Sequence, residues 1–312
     1  MKWGFLNINK PLRATSRDIV NGVSRSAKSR KVGHTGTLDP LAQGVLVVGI
    51  GPATRLTEHV QSTRKGYLAR FRLGQTSTTD DGEGELTPQV STSHISEADI
   101  RAVLPNFLGT IQQIPPRFSA IHVSGRRAYD LARSGAEFEL AARPVEIHAI
   151  ELLSFRDSEI ELRIECGSGT YVRSIGRDLG EMLGCGAYMT ALTRTLVGPF
   201  RIEESLALDQ FTGPPTFEEL QPHLISPTVI FPLEQRVVVA SATILRVRQG
   251  QTIGRSDLIE GSMWGQATEF SPALPYCIVD ESGAMIALAE HRLETGRLHP
   301  KLVVPQELDA TT

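Results

Sequence analysis

Apolar positions recur along this chain with two different periods, and the switches between them mark out its elements. Residues 5–8 form a short apolar run that ends in the turn Asn9-Lys10-Pro11. Thr15 or Ser16 can cap a helix in which Ile19, Val20, Val23 and Ala27 share one side, as an amphipathic helix requires. Residues 45–50 are apolar throughout and read as a strand buried on both faces. A short helix around Leu56 and Val60 leads to a strand at 66–73 and then to a polar loop at 74–82. Ser96 caps a helix reaching about Leu104, where Pro105 ends it. Residues 114–120, with Pro115-Pro116, are stiff and extended, and 128–134 have a helix-like pattern. Residues 159–166 alternate, with Ile160, Leu162, Ile164 and Cys166 on one side and mostly charged residues on the other, so this strand has one wet face. Gly167-Ser168-Gly169-Thr170 breaks it, a helix spans 175–183, and a further strand spans 188–197.

Beyond about residue 227 the pattern changes. Short β segments at 237–240, 263–268, 276–279 and 284–289 follow, with Glu281-Ser282-Gly283 as the hairpin turn between the last two. The chain therefore divides into a large α+β unit, residues 1–235, and a small β-rich unit, residues 236–312. At 312 residues there is room for a core in each.

Composition narrows the class. The chain is 40% hydrophobic and 21% charged, as globular proteins are. No apolar run approaches the ~20 residues that span a bilayer, and the N-terminal residues do not form a signal peptide. Cys166, Cys185 and Cys277 are far apart and make no C-x-x-C pair. That argues against a disulfide framework or zinc site and for reduced thiols in the cytoplasm. The net charge of −3 does not suggest a polyanion binder, but the distribution does. Lys10, Arg13, Arg17, Arg25, Lys28, Arg30 and Lys31 stand against Asp18 alone within residues 10–31. Further basic groups lie at Arg55, Arg64, Lys65, Arg70 and Arg72, and at Arg126, Arg127, Arg133 and Arg143. Part of the first group has a structural explanation, because cations stabilise a helix C-terminus in any protein.

Candidate chemistry centres on Gly33-His34-Thr35-Gly36-Thr37-Leu38-Asp39-Pro40-Leu41-Ala42-Gln43-Gly44. Asp39 is held in a Gly- and Pro-rich loop directly before the buried strand, beside the first basic group, a setting that suits work on a polyanion. Two other signals fail. Gly49-Ile50-Gly51 lacks a third glycine at Thr54 and is interrupted by Pro52, and the acidic loop at 80–85 lacks the spacing of a calcium-binding EF-hand.

The Asp39 segment closely resembles the G-H-x-G-x-L-D-P-x-A-x-G signature of the TruB-type tRNA pseudouridine synthases. A second segment, Gly169-Thr170-Tyr171-Val172-Arg173 with Asp178-Leu179-Gly180, is similar to that family's G-T-Y-x-R-x-x-x-x-D-L-G. Matching segments run from Phe5 to about Val197. Arg55, Thr37 and Gly66 stand where many relatives carry Lys, Ala and a bulkier residue. The resemblance implies a central mixed, mostly antiparallel sheet flanked by helices and loops, with a small PUA-like β-rich domain at the C-terminus. It implies conversion of a uridine to pseudouridine in the tRNA T-loop, with Asp39 as the catalytic carboxylate and Arg173 as its counter-ion. Tyr67 would pack on the target uracil, and His34, Tyr171 and Leu192 would help hold it. Lys10, Arg55, Arg126, Arg127 and Arg133 would contact the RNA backbone, with residues 119–144 as an inserted clamp on the stem. The partner is the tRNA T-stem-loop. No metal, cofactor, membrane or obligate protein partner is implied, and the enzyme would be a cytoplasmic monomer.

The chemistry is consistent with that expectation. The reaction breaks an N–C glycosidic bond and makes a C–C bond from C5 to the same sugar carbon, with no net oxidation. It needs one ionised carboxylate near C1′ and C6, and a neighbouring cation favours the ionised form in a dry pocket. The base must be flipped out of its stack, at a cost of a few kcal/mol, and aromatic stacking returns about 1–3 kcal/mol per base. Taken alone, Tyr67 and Tyr171 read first as core residues, Leu192 nearly as well as one, and His34 more often as a residue that satisfies a turn. Other readings are a tRNA-binding module without chemistry, a relative acting on another RNA, and a glycoside hydrolase. The hydrolase needs a second carboxylate at a fixed separation, and the only other acid in the two motifs, Asp178, lies off the Arg173 face.

Overall fold

The computed structural model describes residues 2–28, 30–123, 125–259 and 274–305. Strand β1 (Gly4–Lys10) leads to helix α1 (Ser16–Ala27), whose start is fixed by a capping box between Thr15 and Asp18. β2 (Val32–His34), β3 (Ala42–Ile50) and the short α2 (Thr57–Gln61) follow, then β4 (Lys65–Leu73) and α3 (Glu97–Val103), which Ser96 and Asp99 cap in the same way. After β5 (Gly109–Gln113) comes the basic excursion, with a hairpin of β6 (His122–Val123) and β7 (Arg126–Arg127) and the helix α4 (Ala128–Arg133). β8 (Arg143–Arg156), β9 (Glu159–Cys166), α5 (Val172–Met182) and β10 (Ala187–Val197) complete the body. β11 (Phe200–Arg201), β12 (Leu206–Ala207) and α6 (Phe217–Leu220) close it. The last part contains β13 (Arg236–Val238), α7 (Ser241–Arg248), β14 (Pro275–Val279), β15 (Met285–Arg292) and β16 (Arg297–Val303).

The body is one large mixed sheet in the order β12-β1-β3-β10-β4-β9-β8-β5, with β2 on β3 and β11 on β10. Among the described residues of this sheet, β1–β12 and β3–β10 are the strand pairs that run parallel, and the others are antiparallel. The continuous apolar run of β3 has the expected cause. Its Leu46, Val48 and Ile50 pack with Ile19 and Val23 of α1, while Val45 and Val47 enter a cluster on the opposite face with Phe5 and Phe200. Burying each such side chain contributes about 1.5–3 kcal/mol. Val238, Cys277, Val279, Met285 and Leu288 of the second sheet, order β13-β14-β15-β16, belong to that same opposite-face cluster. The C-terminal sheet is thus welded to the back of β1 and β3.

Several elements differ from the sequence reading. The pattern does not predict β8, because Pro144 and register irregularities at 147–149 and 152–154 break its two-residue period. α5 begins at Val172, not 175, so Arg173 lies in its first turn. No side chain caps the helix there; Gln113 from β5 instead holds the backbone of its N-cap residue, Tyr171. Its Oε1 accepts from the Tyr171 N–H at 2.9 Å and its Nε2 donates to the Tyr171 carbonyl at 3.1 Å. In the C-terminal part, α7 and β16 are additions to the expected elements, and the strand expected at 263–268 lies outside the described residues.

Candidate active site

The Asp39 loop joins β2 to β3 and is held from both sides. The Ser16 hydroxyl donates to the Leu38 carbonyl at 3.0 Å and accepts from the Leu38 N–H at 2.8 Å. The Arg13 N–H donates to the Pro40 carbonyl at 2.8 Å. From β10, Arg194 donates to three carbonyls: Nε to Val45 at 2.7 Å, Nη1 to Thr37 at 3.3 Å and Nη2 to Gly36 at 3.2 Å. The last glycine of the motif has a steric cause. Gly44 has φ +101, and a Cβ there would lie 2.3 Å from the Arg194 carbonyl oxygen. The loop backbone is therefore rigid, while the Asp39 side chain remains 37% exposed.

Arg173 meets that carboxylate. Its Nη2 lies 3.0 Å from Asp39 Oδ2 and its Nη1 lies 3.5 Å from Asp81 Oδ2. The same guanidinium donates to the carbonyls of Thr79 and Phe118, each at 3.2 Å. A buried cation is stable only when its donors are matched, and these four acceptors match it. α5 is pressed onto β4 to bring this about: a Cβ at Gly176 would lie 2.1 Å from the Phe71 ring.

In front of the pair lies a cavity of about 430 Å³, lined by Asp39, Tyr67, Tyr171, Leu192 and Arg173 together with Phe118, Tyr129 and Arg127. Tyr67 on β4 stands opposite Arg194 on β10 in the ladder. Burial pushes the Tyr67 hydroxyl up, so it stays protonated at neutral pH. The Arg143 guanidinium lies over the Tyr171 ring, 5.1 Å from its centroid. Phe118 and Tyr129 make an edge-to-face pair at 6.0 Å.

The structure thus brings Asp39, Tyr67, Tyr171, Arg173 and Leu192 around one cavity. His34 stands apart from its lining. His34 Nδ1 accepts from the Gly36 N–H at 3.3 Å, and burial, with Arg17 and Arg194 adding to it, lowers its pKa. That bond satisfies the turn, the plainer of the two roles open to a lone histidine in a glycine-rich loop, and it engages Nδ1 only.

The expected RNA-backbone residues separate into three groups. Lys10 is a correction: it is fully buried, and its Nζ donates to the Ala14 carbonyl at 2.6 Å and the Pro11 carbonyl at 3.1 Å. Such an ammonium cannot meet a phosphate in solution. Burial lowers its pKa to about 8, with Asp39 opposing the shift. Arg55 follows the far end of β3 from the Asp39 loop, roughly 30 Å of strand away, and donates to the Val303 carbonyl of the C-terminal sheet at 3.2 Å. Arg126 and Arg127 are exposed on the β6–β7 hairpin, and Arg133 lies over the Tyr129 ring at 5.6 Å. Only this last group faces outward beside the cavity.

Sequence reasoning missed two charged residues here. Asp81 is nearly fully buried and shares Arg173 with Asp39, so the second carboxylate of the site is not Asp178. It stays outside the cavity lining, where a glycosidase's acid would have to reach the substrate. Arg194 reads in the sequence as one strand residue among several. No spacing distinguishes either residue; the signal is a contact between distant segments.

A carboxylate–guanidinium pair lies beneath an aromatic-lined cavity with exposed arginines at its rim, an arrangement that suits work on a base of a polyanion. The family model for the TruB family pseudouridylate synthase N-terminal domain matches residues 24–172, and the tRNA pseudouridylate synthase B C-terminal domain model matches 173–236. A tRNA pseudouridine synthase B of Thermobifida fusca is 40% identical over 308 residues, 96% of this chain and 98% of that protein. The same enzyme of Dehalococcoides mccartyi is 44% identical over 250 residues, 80% and 83% of the two chains. This chain belongs to the TruB family of pseudouridylate synthases. A chain in a solved Cbf5-Nop10-Gar1 complex shares the fold, with a TM-score of 0.69 at 22% identity over 98% of this chain and 84% of that one.

Proposed function

We propose that the protein isomerises a uridine of the tRNA T-loop to pseudouridine, with Asp39 as the catalytic carboxylate. The observation that carries this reading is the Asp39–Arg173 contact of 3.0 Å at a cavity roofed by Tyr67 and Tyr171. The cavity is large enough for a flipped nucleoside. In the reaction the N1–C1′ bond breaks, the detached uracil turns, C5 bonds to C1′, and the proton leaving C5 is balanced by one gained at N1. Asp39 meets the reacting carbons, and Arg173 holds its charge where electron density changes. Tyr67 and Leu192 sandwich the base while it turns, which keeps it from diffusing away. Arg126, Arg127 and Arg133 grip the stem phosphates and supply affinity. The names of the relatives support tRNA as the substrate class. We read residues 236–312 as a PUA-like unit beside this body.

The test is a map of modified uridines in tRNA from cells lacking this chain, together with the purified chain acting on a T-stem-loop transcript. The T-loop pseudouridine should be missing from those cells and should form in vitro. Its persistence in the cells with no conversion in vitro would overturn the reading.

A further inference from the structure

Arg173 and Arg177 are four residues apart on α5 and so share one face, a turn apart. Opposite them stand two consecutive carboxylates, Asp80 and Asp81. Asp80 is in the left-handed backbone region, φ 61, which turns the loop so that both side chains reach the same helix. Asp81 goes to Arg173, and Asp80 Oδ2 lies 3.0 Å from Arg177 Nη1. Arg177 does more than close that pair. Its Nη2 donates to the Ile114 carbonyl at 2.8 Å, a carbonyl that also accepts from the Ser174 hydroxyl at 3.0 Å. From Ile114, stiffened by Pro115-Pro116, the chain runs to Phe118, whose carbonyl accepts from Arg173 Nη2, the nitrogen that also reaches Asp39. Arg177 itself is absent from the cavity lining.

We propose that Arg177 is a positioning residue. By pinning Asp80 and the Ile114 carbonyl, it fixes Asp81 and the Phe118 carbonyl, two acceptors that aim the Arg173 guanidinium at Asp39. The inference rests on the roles of Asp39 and Arg173 proposed above. It gives the second arginine of α5 a place in the reaction without contact to substrate, and it ties the root of the basic excursion to the catalytic carboxylate.

The test compares Arg177→Gln, Asp80→Asn, their double variant and Arg177→Lys with the wild type, measuring single-turnover rate at saturating enzyme and affinity for a tRNA transcript. Each single variant should lose about tenfold or more in rate, because small misplacements of a catalytic group are costly. Affinity should stay within about threefold, since the phosphate-binding arginines are untouched. Arg177→Lys should recover part of the rate, and the double variant should be no slower than the slower single, as for two residues that share a contact. A rate for Asp80→Asn within about twofold of wild type would overturn the proposal, as would multiplying single effects or a fall in affinity that matches the fall in rate. Should Arg177→Gln fail to fold, Asp80→Asn, which keeps the side-chain shape, carries the same test. Asp39→Asn in the same series separates the two claims. If it turns over, the reading of the site fails; if it is inactive while Asp80→Asn runs at full rate, only the positioning role fails.

Discussion

The ring of side chains behind Asp39 and the excursion in front of it are built from the same residue type and treat it in opposite ways. Arg173 and Arg194 are 7% and 4% exposed, and each is matched by several fixed acceptors. Arg126 and Arg127 stand in solvent on a two-residue-strand hairpin, and Arg133 lies against the face of the Tyr129 ring. A desolvated guanidinium acts strongly over a few ångströms because little water screens it. A solvated one acts weakly on any single partner and is screened by salt, but it is free to follow a flexible polyanion. In the function proposed above, position comes from the inner arginines and affinity from the outer ones.

The largest effect should come from the carboxylate the ring serves. Asp39→Asn keeps the shape of the side chain and removes its charge, and turnover should fall below about a thousandth of wild type. Binding of tRNA should stay within a few-fold. Retention of a tenth of the wild-type rate in a quantitative conversion assay would place the chemistry elsewhere.

Removing the inner cation should come next. In Arg173→Ala, Asp39 and Asp81 lose their shared counter-charge, and single-turnover rate should drop by about 10²–10³-fold. Arg173→Lys should restore only part, since a point charge cannot satisfy two carboxylates and two carbonyls as a planar fork does. A fully active Arg173→Ala at neutral pH would erase the distinction between inner and outer arginines.

The outer group should give the reverse pattern. Replacing Arg126, Arg127 and Arg133 together with Ala should weaken tRNA binding while leaving single-turnover rate at saturating enzyme near normal. The log–log slope of affinity against salt should shrink by about 0.7–0.9 for each phosphate no longer neutralised. An unchanged slope would make the excursion a solvated surface and remove the clamp.

The smallest effect concerns Lys10, which belongs with the buried ring and not with the RNA-facing cations. Its ammonium is lowered from 10.5 to about 8 by burial. Between those values the unfolded chain holds the proton and the folded chain increasingly does not, so the stability attributable to Lys10 rises with pH. The slope should be at most ~1.4 kcal/mol per pH unit. Denaturant unfolding of wild type and Lys10→Met between pH 7.5 and 10.5 should show a difference that grows with pH. A flat difference would return Lys10 to the solvent-facing group.

Much of the local structure is legible in the chain. The capping boxes at Thr15 and Ser96, the unbroken apolar run of β3 and the alternation of β9 are local patterns, and each produces the element expected of it. The elements that escape such patterns are those whose cause lies at a distance. α5 starts early, where Gln113, 58 residues away, holds both backbone groups of Tyr171, and β8 pairs through irregularities that blur its period.

The site divides along the same line. By itself the sequence determined that Asp39 sits in a constrained loop before a buried strand and that a basic excursion interrupts the body. That Arg173 partners Asp39 was implied only by the resemblance of its motifs to the family's. Tertiary structure alone decided which charges are buried together. It placed Asp81 on Arg173, Arg194 under the motif loop, His34 against its own turn and Lys10 inside the core. The physical reason is that a charged residue's role depends on whether water or fixed acceptors surround it. Such surroundings are assembled from segments as much as 158 positions apart, as with Arg194 and Gly36, and no local pattern records them.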